Sequence, residues 1–237
     1  MNSKLQGKRA LVTGSNKGIG FAICQGLFKQ GFNVIVAARS LDKAKSAAEK
    51  LSSNKPQIQA IQLDITDDAS IARAVEDLSQ NVPSLDVLIN NAGIYPDNGV
   101  NILTVSRELL NQTMNTNTFS PIRVTQAFLP LLERADAARV INVSSGYGQL
   151  SGLSADVPSY CLSKLALNGA TIMLADALRS KGITVNAIDP GWVRSDMGGS
   201  SAPRTLEQGA DTAIWLATDA SLRLSGKLFH DRREVSY

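Results

Sequence analysis

The chain has 237 residues, of which 43% are hydrophobic and 19% charged. These are the proportions of one globular domain and exclude a disordered chain. A net charge of +3, spread without clustering, gives no basic stripe for nucleic acid, and no run of 18 apolar residues offers a membrane span.

The opening MNSKLQGKRALVTG runs into a strand without the apolar core and cleavage site of a secretion signal, so the chain reads as soluble and cytoplasmic. Strand-length apolar runs follow at 9–14, 33–39, 58–64, 86–90, 138–145 and 183–188. Residues apolar on both faces suit parallel strands covered by helices on each side. Helical periodicity fills the intervals at 18–30, 41–51, 67–80, 107–133 and 159–181, and a helix at 206–217 and a short strand at 226–229 close the chain. The repeated strand-helix-strand order predicts one α/β domain over 1–237, a doubly wound parallel sheet (Rossmann fold) of about seven strands. The longest loop, 189–205, follows a strand's carboxyl end, where such sheets bind ligands, and is the expected lid.

Cys24 and Cys161 both fall in predicted helices, and no paired spacing points to a disulfide or a metal site. They are expected to be buried thiols.

TGSNKGIG (13–20) places Gly14, Gly18 and Gly20 between the first strand and the first helix. Glycines there let the backbone approach a pyrophosphate, and the helix start offers free amides to it. Sites for NAD carry an acid at the end of the second strand to hold the ribose hydroxyls. This chain has Ala38 and Arg39 instead. The Arg39 fork, joined by Lys17 from the glycine loop, suits the 2′-phosphate of NADPH/NADP+.

Further on, Tyr160 and Lys164 are four residues apart on a helix expected to begin after Pro158 with Ser159 as its cap, so they share one face. A phenol titrates near 10, and an ammonium beside it is expected to lower that value toward neutral pH. Ser144 and Ser145 end a strand near the same cleft, where a hydroxyl can hydrogen-bond a carbonyl oxygen as charge develops on it. A serine hydrolase is excluded: the sole histidine, His230, is expected at the surface, and there is no G-x-S-x-G elbow.

Taken in order, TGSNKGIG, NNAG (90–93), Asn117, Ser145, YCLSK and DPGWVRS (189–195) cover nearly the whole chain. The sequence resembles the single-domain short-chain dehydrogenases/reductases, and is most similar to their carbonyl-reductase-like, NADPH-dependent branch. The resemblance implies catalytic roles for Asn117, Ser145, Tyr160 and Lys164. Tyr160 would be the proton donor in reduction, Lys164 would hold the nicotinamide ribose and depress the phenol, Ser145 would orient the carbonyl, and Asn117 would serve a water relay. Asn115 competes with Asn117 for that last role.

For the cofactor, the resemblance implies contacts from Gly14, Asn16, Lys17, Gly18, Ile19 and Arg39, from Asp64 and Ile65 beside the adenine, and from Asn91, Ala92 and Gly93. Pro190, Gly191, Val193 and Ser195 would meet the nicotinamide end with Tyr160 and Lys164. It departs from the usual pattern in Ser120 for glycine, Ser195 for threonine and Asp189 for asparagine. Its implied partner is a small carbonyl substrate (aldehyde, ketone or quinone), and apolar residues around the Tyr160 helix, including Leu165, Leu167, Ile172, Met173 and Leu174, imply a homodimer or homotetramer. Two other functions remain open: a catalytically idle dinucleotide sensor or scaffold, and an alcohol dehydrogenase working in the oxidative direction.

Overall fold

The computed structural model describes residues 5–51, 58–97 and 99–237. Eight strands form one sheet in the order β3-β2-β1-β4-β5-β6-β7-β8. They are β1 (Arg9–Val12), β2 (Asn33–Ala38), β3 (Ile58–Gln62), β4 (Val87–Asn90), β5 (Arg139–Val143), β6 (Thr184–Ile188), β7 (Leu228–His230) and β8 (Arg233–Val235). All pair in parallel except β7 with β8. The helices are α1 (Gly18–Lys29), α2 (Leu41–Leu51), α3 (Asp68–Asn81), α4 (Arg107–Met114), α5 (Ser120–Leu132), α6 (Pro158–Ala177) and α7 (Leu206–Thr218).

Two apolar layers hold the sheet between these helices. Ile23, Leu27, Val34 and Val36 belong to one, with Leu216 of α7; Ile35, Leu88, Phe128 and Val185 belong to the other. Neighbouring residues of β2 thus enter opposite layers, as strand alternation requires. Because the order reverses at β1, the loops after β1 and β4 diverge there and open a crevice at the carboxyl edge.

The expected count of about seven strands is met with one more, the short β8, joined to β7 by a turn in which Asp231 and Arg232 take left-handed φ values of 46° and 62°. Two expectations need correction. The predicted helix at 107–133 is two helices linked by a π-helical turn, Asn115–Phe119. Ser120, in the place where glycine is usual, has a physical reason here: its amide and its Oγ, at 2.8 Å, both donate to the Asn115 carbonyl and close the widened turn. Finally, α6 starts at Pro158 with Val157 in the cap position, so Ser159 lies inside the helix and is buried.

Among the described residues no helix is long and apolar enough to cross a membrane, and no group of histidine, cysteine or acidic side chains is arranged to hold a metal. Both thiols are buried, and burial pushes Cys24 up to about 12. On α6, Leu167 is buried within the molecule while Leu162, Ile172 and Met173 are exposed.

Candidate active site

A cleft of about 1390 Å³ runs along the carboxyl edge of the sheet. At one end lies the glycine loop. Gly14 and Gly18 have φ values of 62° and 60°, a region that favours glycine. A Cβ on Gly14 would meet Ala92 at 2.9 Å, whereas one on Gly18 would meet nothing within 4 Å, so the loop is packed from beneath and open toward the cleft. The loop is fastened by two buried hydroxyls that sequence reasoning did not single out. Thr13 Oγ1 accepts the amides of Asn91 and Ala92 at 3.0 Å, and Ser15 Oγ donates to the Val12 carbonyl and accepts the Ala37 amide. Asn91 Nδ2 completes the clamp on the carbonyls of Thr13 and Gly14.

Asn16, Lys17, Ile19, Arg39, Asp64, Ile65, Asn91, Ala92 and Gly93 all line this end of the cleft. Arg39 is exposed at the end of β2, with no acid beside it in sequence. The Asp64 carboxylate faces its own turn, accepting the amide and hydroxyl of Thr66. Lys17 is exposed too, and its Nζ pairs at 2.5 Å with Asp196 of the 189–205 segment. The residues therefore fit a phosphorylated dinucleotide: open backbone amides for a pyrophosphate, two unburied cations for a further phosphate, and no competing carboxylate where a ribose-holding acid would stand.

The 189–205 segment is folded on itself. Val193 bridges Arg204, the Arg194 amide donates to the Arg204 carbonyl, and Trp192 Nε1 donates to the Gly198 carbonyl at 2.8 Å. Pro190, Gly191, Val193 and Ser195 line the cleft. His230, expected at the surface, is half-buried against the start of this segment. Its Nδ1 lies 3.0 Å from the Asp189 carbonyl, because the β7–β8 hairpin turns back over that segment.

At the other end, Ser145, Tyr160 and Lys164 meet. Lys164 Nζ donates to the Val143 carbonyl at 2.8 Å and sits 5.5 Å from the centre of the Tyr160 ring. Burial pulls this ammonium down to about 8. The Tyr160 phenol, contrary to the expected depression, is held above its ordinary value: removal from water disfavours the phenolate and outweighs the opposing hydrogen bond with Ser145. Tyr95 and Tyr147 pack edge-on against the Tyr160 ring, at centroid distances of 4.8 and 6.3 Å. The Ser145 turn is itself supported from α6, where Asn168 accepts from Ser144 Oγ at 2.6 Å and donates to the Gly148 carbonyl at 2.9 Å.

The two candidate asparagines separate cleanly. Asn115 lines the cleft, whereas Asn117 is fully buried. Asn117 Oδ1 accepts the Ile94 amide at 2.8 Å, and its Nδ2 donates to the Ile94 carbonyl and to Ser163 Oγ. Its side chain is committed to holding the strand exit at Gly93–Ile94 against α6.

Residues 8–205 match the family described as short chain dehydrogenase. The chain is 37% identical over 240 residues to a short-chain dehydrogenase, anuI, of Penicillium roqueforti, covering 95% of this chain and 94% of that protein. It is 29% identical over 291 residues to (+)-neomenthol dehydrogenase of Arabidopsis thaliana, covering 96% and 97%. Among solved structures, the NADPH-bound carbonyl reductase from chicken fatty liver superposes with a TM-score of 0.90 at 29% identity, over 98% of this chain and 95% of that one. Carbonyl reductase Sniffer of D. melanogaster gives 0.85 at 29% identity, over 94% and 96%.

Proposed function

Since the chain belongs to the short chain dehydrogenase family, we propose that it is an NADPH-dependent reductase that converts the carbonyl of an aldehyde, ketone or quinone to the alcohol, with Tyr160 as proton donor. The observation that carries this reading is one cleft joining an end lined by Lys17 and Arg39 to a cluster of half-buried Ser145 with buried Tyr160 and Lys164. The NADPH bound by the chicken carbonyl reductase supports the cofactor.

When bound, NADPH supplies the hydride. The chain supplies position and a proton. Ser145 Oγ donates a hydrogen bond to the substrate oxygen and favours the charge that develops there. Tyr160 Oη gives its proton to that oxygen as the alcohol forms. The raised phenol is suited to holding this proton at neutral pH until a stronger base, the nascent alkoxide, takes it. Lys164 is a buried cation on the same helix face. Its charge, 5.5 Å from the centre of the Tyr160 ring, stabilises the phenolate left once the proton has gone. Asn117 acts on this end of the cleft through the Ile94 backbone, whose amide and carbonyl its side chain holds.

The substrate is proposed to be uncharged and at least partly aromatic or alicyclic. Tyr95 and Tyr147 wall the Tyr160 ring, and the cations lining the cleft among the described residues, Lys17, Arg39 and Lys164, all belong to the cofactor contacts. A homodimer or homotetramer in the cytoplasm completes the proposal, supported by the apolar outer face of α6. Loss of NADPH absorbance with a panel of aldehydes, ketones and quinones tests it. Turnover of neutral ring carbonyls ahead of keto acids is expected. Tight NADPH binding with no turnover of any carbonyl would instead assign a sensor.

A further inference from the structure

Helix α6 carries Tyr160 in its first turn, yet it has no cap of its own. Val157 occupies the cap position without a side-chain hydrogen bond, and Pro158 follows it. The free amides of that turn are taken by a residue from far upstream. Asp97 Oδ1 accepts the amide of Ser159 at 3.3 Å and its hydroxyl at 2.7 Å, while Asp97 Oδ2 accepts the amide of Tyr160 itself at 2.7 Å. Asp97 is 2% exposed.

A serine or aspartate at position 157 would satisfy the same amides from the helix's own segment. Burying a carboxylate on another segment achieves something a local cap cannot: it ties that segment to the helix. The segment is the chain leaving β4, and it grips Tyr160 from two sides. Tyr95 packs edge-on to the phenol ring, and Asp97, two residues on, holds the backbone of the same residue. Its upstream end is fixed in turn by Asn117 through both polar groups of Ile94. Farther along, Asn101 Nδ2 reaches Asp156 and the Ile102 amide reaches the Ala155 carbonyl.

We propose that Asp97 is a positioning residue for Tyr160, setting the height and rotation of the first turn of α6 so that the phenol meets the substrate oxygen. This rests on Tyr160 being the proton donor. A misplacement of about 1 Å at a reacting group is enough to slow a reaction by roughly 100-fold.

The test compares wild type, Asp97→Asn, Asp97→Ala/Val157→Ser and the surface control Leu103→Ala, at a side chain 90% exposed. Each is checked for folding by thermal melt, then measured for kcat and KM with NADPH and an aromatic quinone, for NADPH Kd by fluorescence, and for amide hydrogen exchange in peptides covering 158–164. Expected for Asp97→Asn is a kcat about 10- to 100-fold lower, NADPH Kd within twofold of wild type, and faster exchange at 159–160, with Leu103→Ala unchanged in kcat. The double variant supplies a neutral local cap at position 157, which is buried, so the helix is capped without an unpaired buried charge. Positioning predicts that its kcat stays low, and recovery of wild-type kcat there would reduce Asp97 to a stability cap and overturn the proposal. Wild-type kcat in folded Asp97→Asn would overturn it equally. If wild type itself reduces no carbonyl, the reductase reading falls, and exchange alone decides: unchanged exchange in Asp97→Asn rejects the tie to Tyr160, and faster exchange supports it.

Discussion

The two ends of the cleft are built on opposite electrostatic plans. At the glycine-loop end the cations stand in water: Lys17 and Arg39 are exposed, and Lys17 is free enough to pair with Asp196 across the opening. At the proposed catalytic end Tyr160, Lys164 and Asn117 are buried, with Lys164 and Asn117 held by hydrogen bonds to the Val143 carbonyl and to Ser163. Exposed charges are screened within about 10 Å at 0.1 M salt and rearrange at little cost. Buried groups are not screened, and their protonation follows burial. Recognition of a cofactor that must come and go suits the first plan, and proton transfer to a fixed point suits the second.

The largest expected break in this contrast is Tyr160→Phe. Removing the buried hydroxyl should cut kcat by about 10³-fold or more, within the range of acid-base catalysis, while NADPH still binds in a fluorescence titration. Near-wild-type turnover would move the proton donor elsewhere. The exposed end should respond differently. Lys17→Ala with Arg39→Ala is expected to weaken NADPH by about 10-fold to 100-fold, as loss of two charge-assisted phosphate contacts implies, and to leave NADH affinity nearly unchanged. In wild type, raising the salt should erode NADPH affinity more than kcat. Equal weakening toward both cofactors would remove the two cations from the choice.

The smallest effect sharpens the account of the buried end. Lys164 binds its proton less tightly in the folded protein, at about 8, than in the unfolded chain near 10.5. Between those values the unfolded chain holds more protons, so stability rises with pH across that window and the penalty of the buried charge is in full force below pH 8. Lys164→Met should therefore melt a few degrees above wild type at pH 7, at roughly 2–4 °C per kcal/mol, with the advantage narrowing as pH climbs past 8, even as turnover is lost. A lower melting temperature for that variant at pH 7 would show that the lost hydrogen bond to Val143 outweighs the relief of burial.

How much of this could be read in advance follows the range over which each feature is encoded. Helix α2 has its expected bounds, Leu41–Leu51, and the β1–glycine loop–α1 unit is legible because periodicity and glycines lie within a few residues of one another. Tyr160 and Lys164 share a helix face for the same reason. The short β8 escaped because its turn is made by Asp231 and Arg232, not by the asparagine-glycine pair that normally announces a tight hairpin. The direction of the Tyr160 shift was not legible, since a sequence shows a neighbouring charge but not the depth of burial. Thr13 and Asp97 were silent because their partners are 78 and 63 residues away, at Asn91 and Tyr160. Ser159 looked like a cap by local rules, and only the buried carboxylate beneath it explains why it is not.

The widened turn at Asn115–Phe119 has a genetic implication. A helix with one surplus residue is only a single-codon deletion away from an ordinary spiral, and each residue in such a spiral advances by roughly 100°. Such a lesion would leave a backbone with better regular bonding while swinging the Asn117 amide off Ile94 and Ser163. A well-formed rod and an inward-aimed amide thus compete at these five positions, and the shape found there favours the amide.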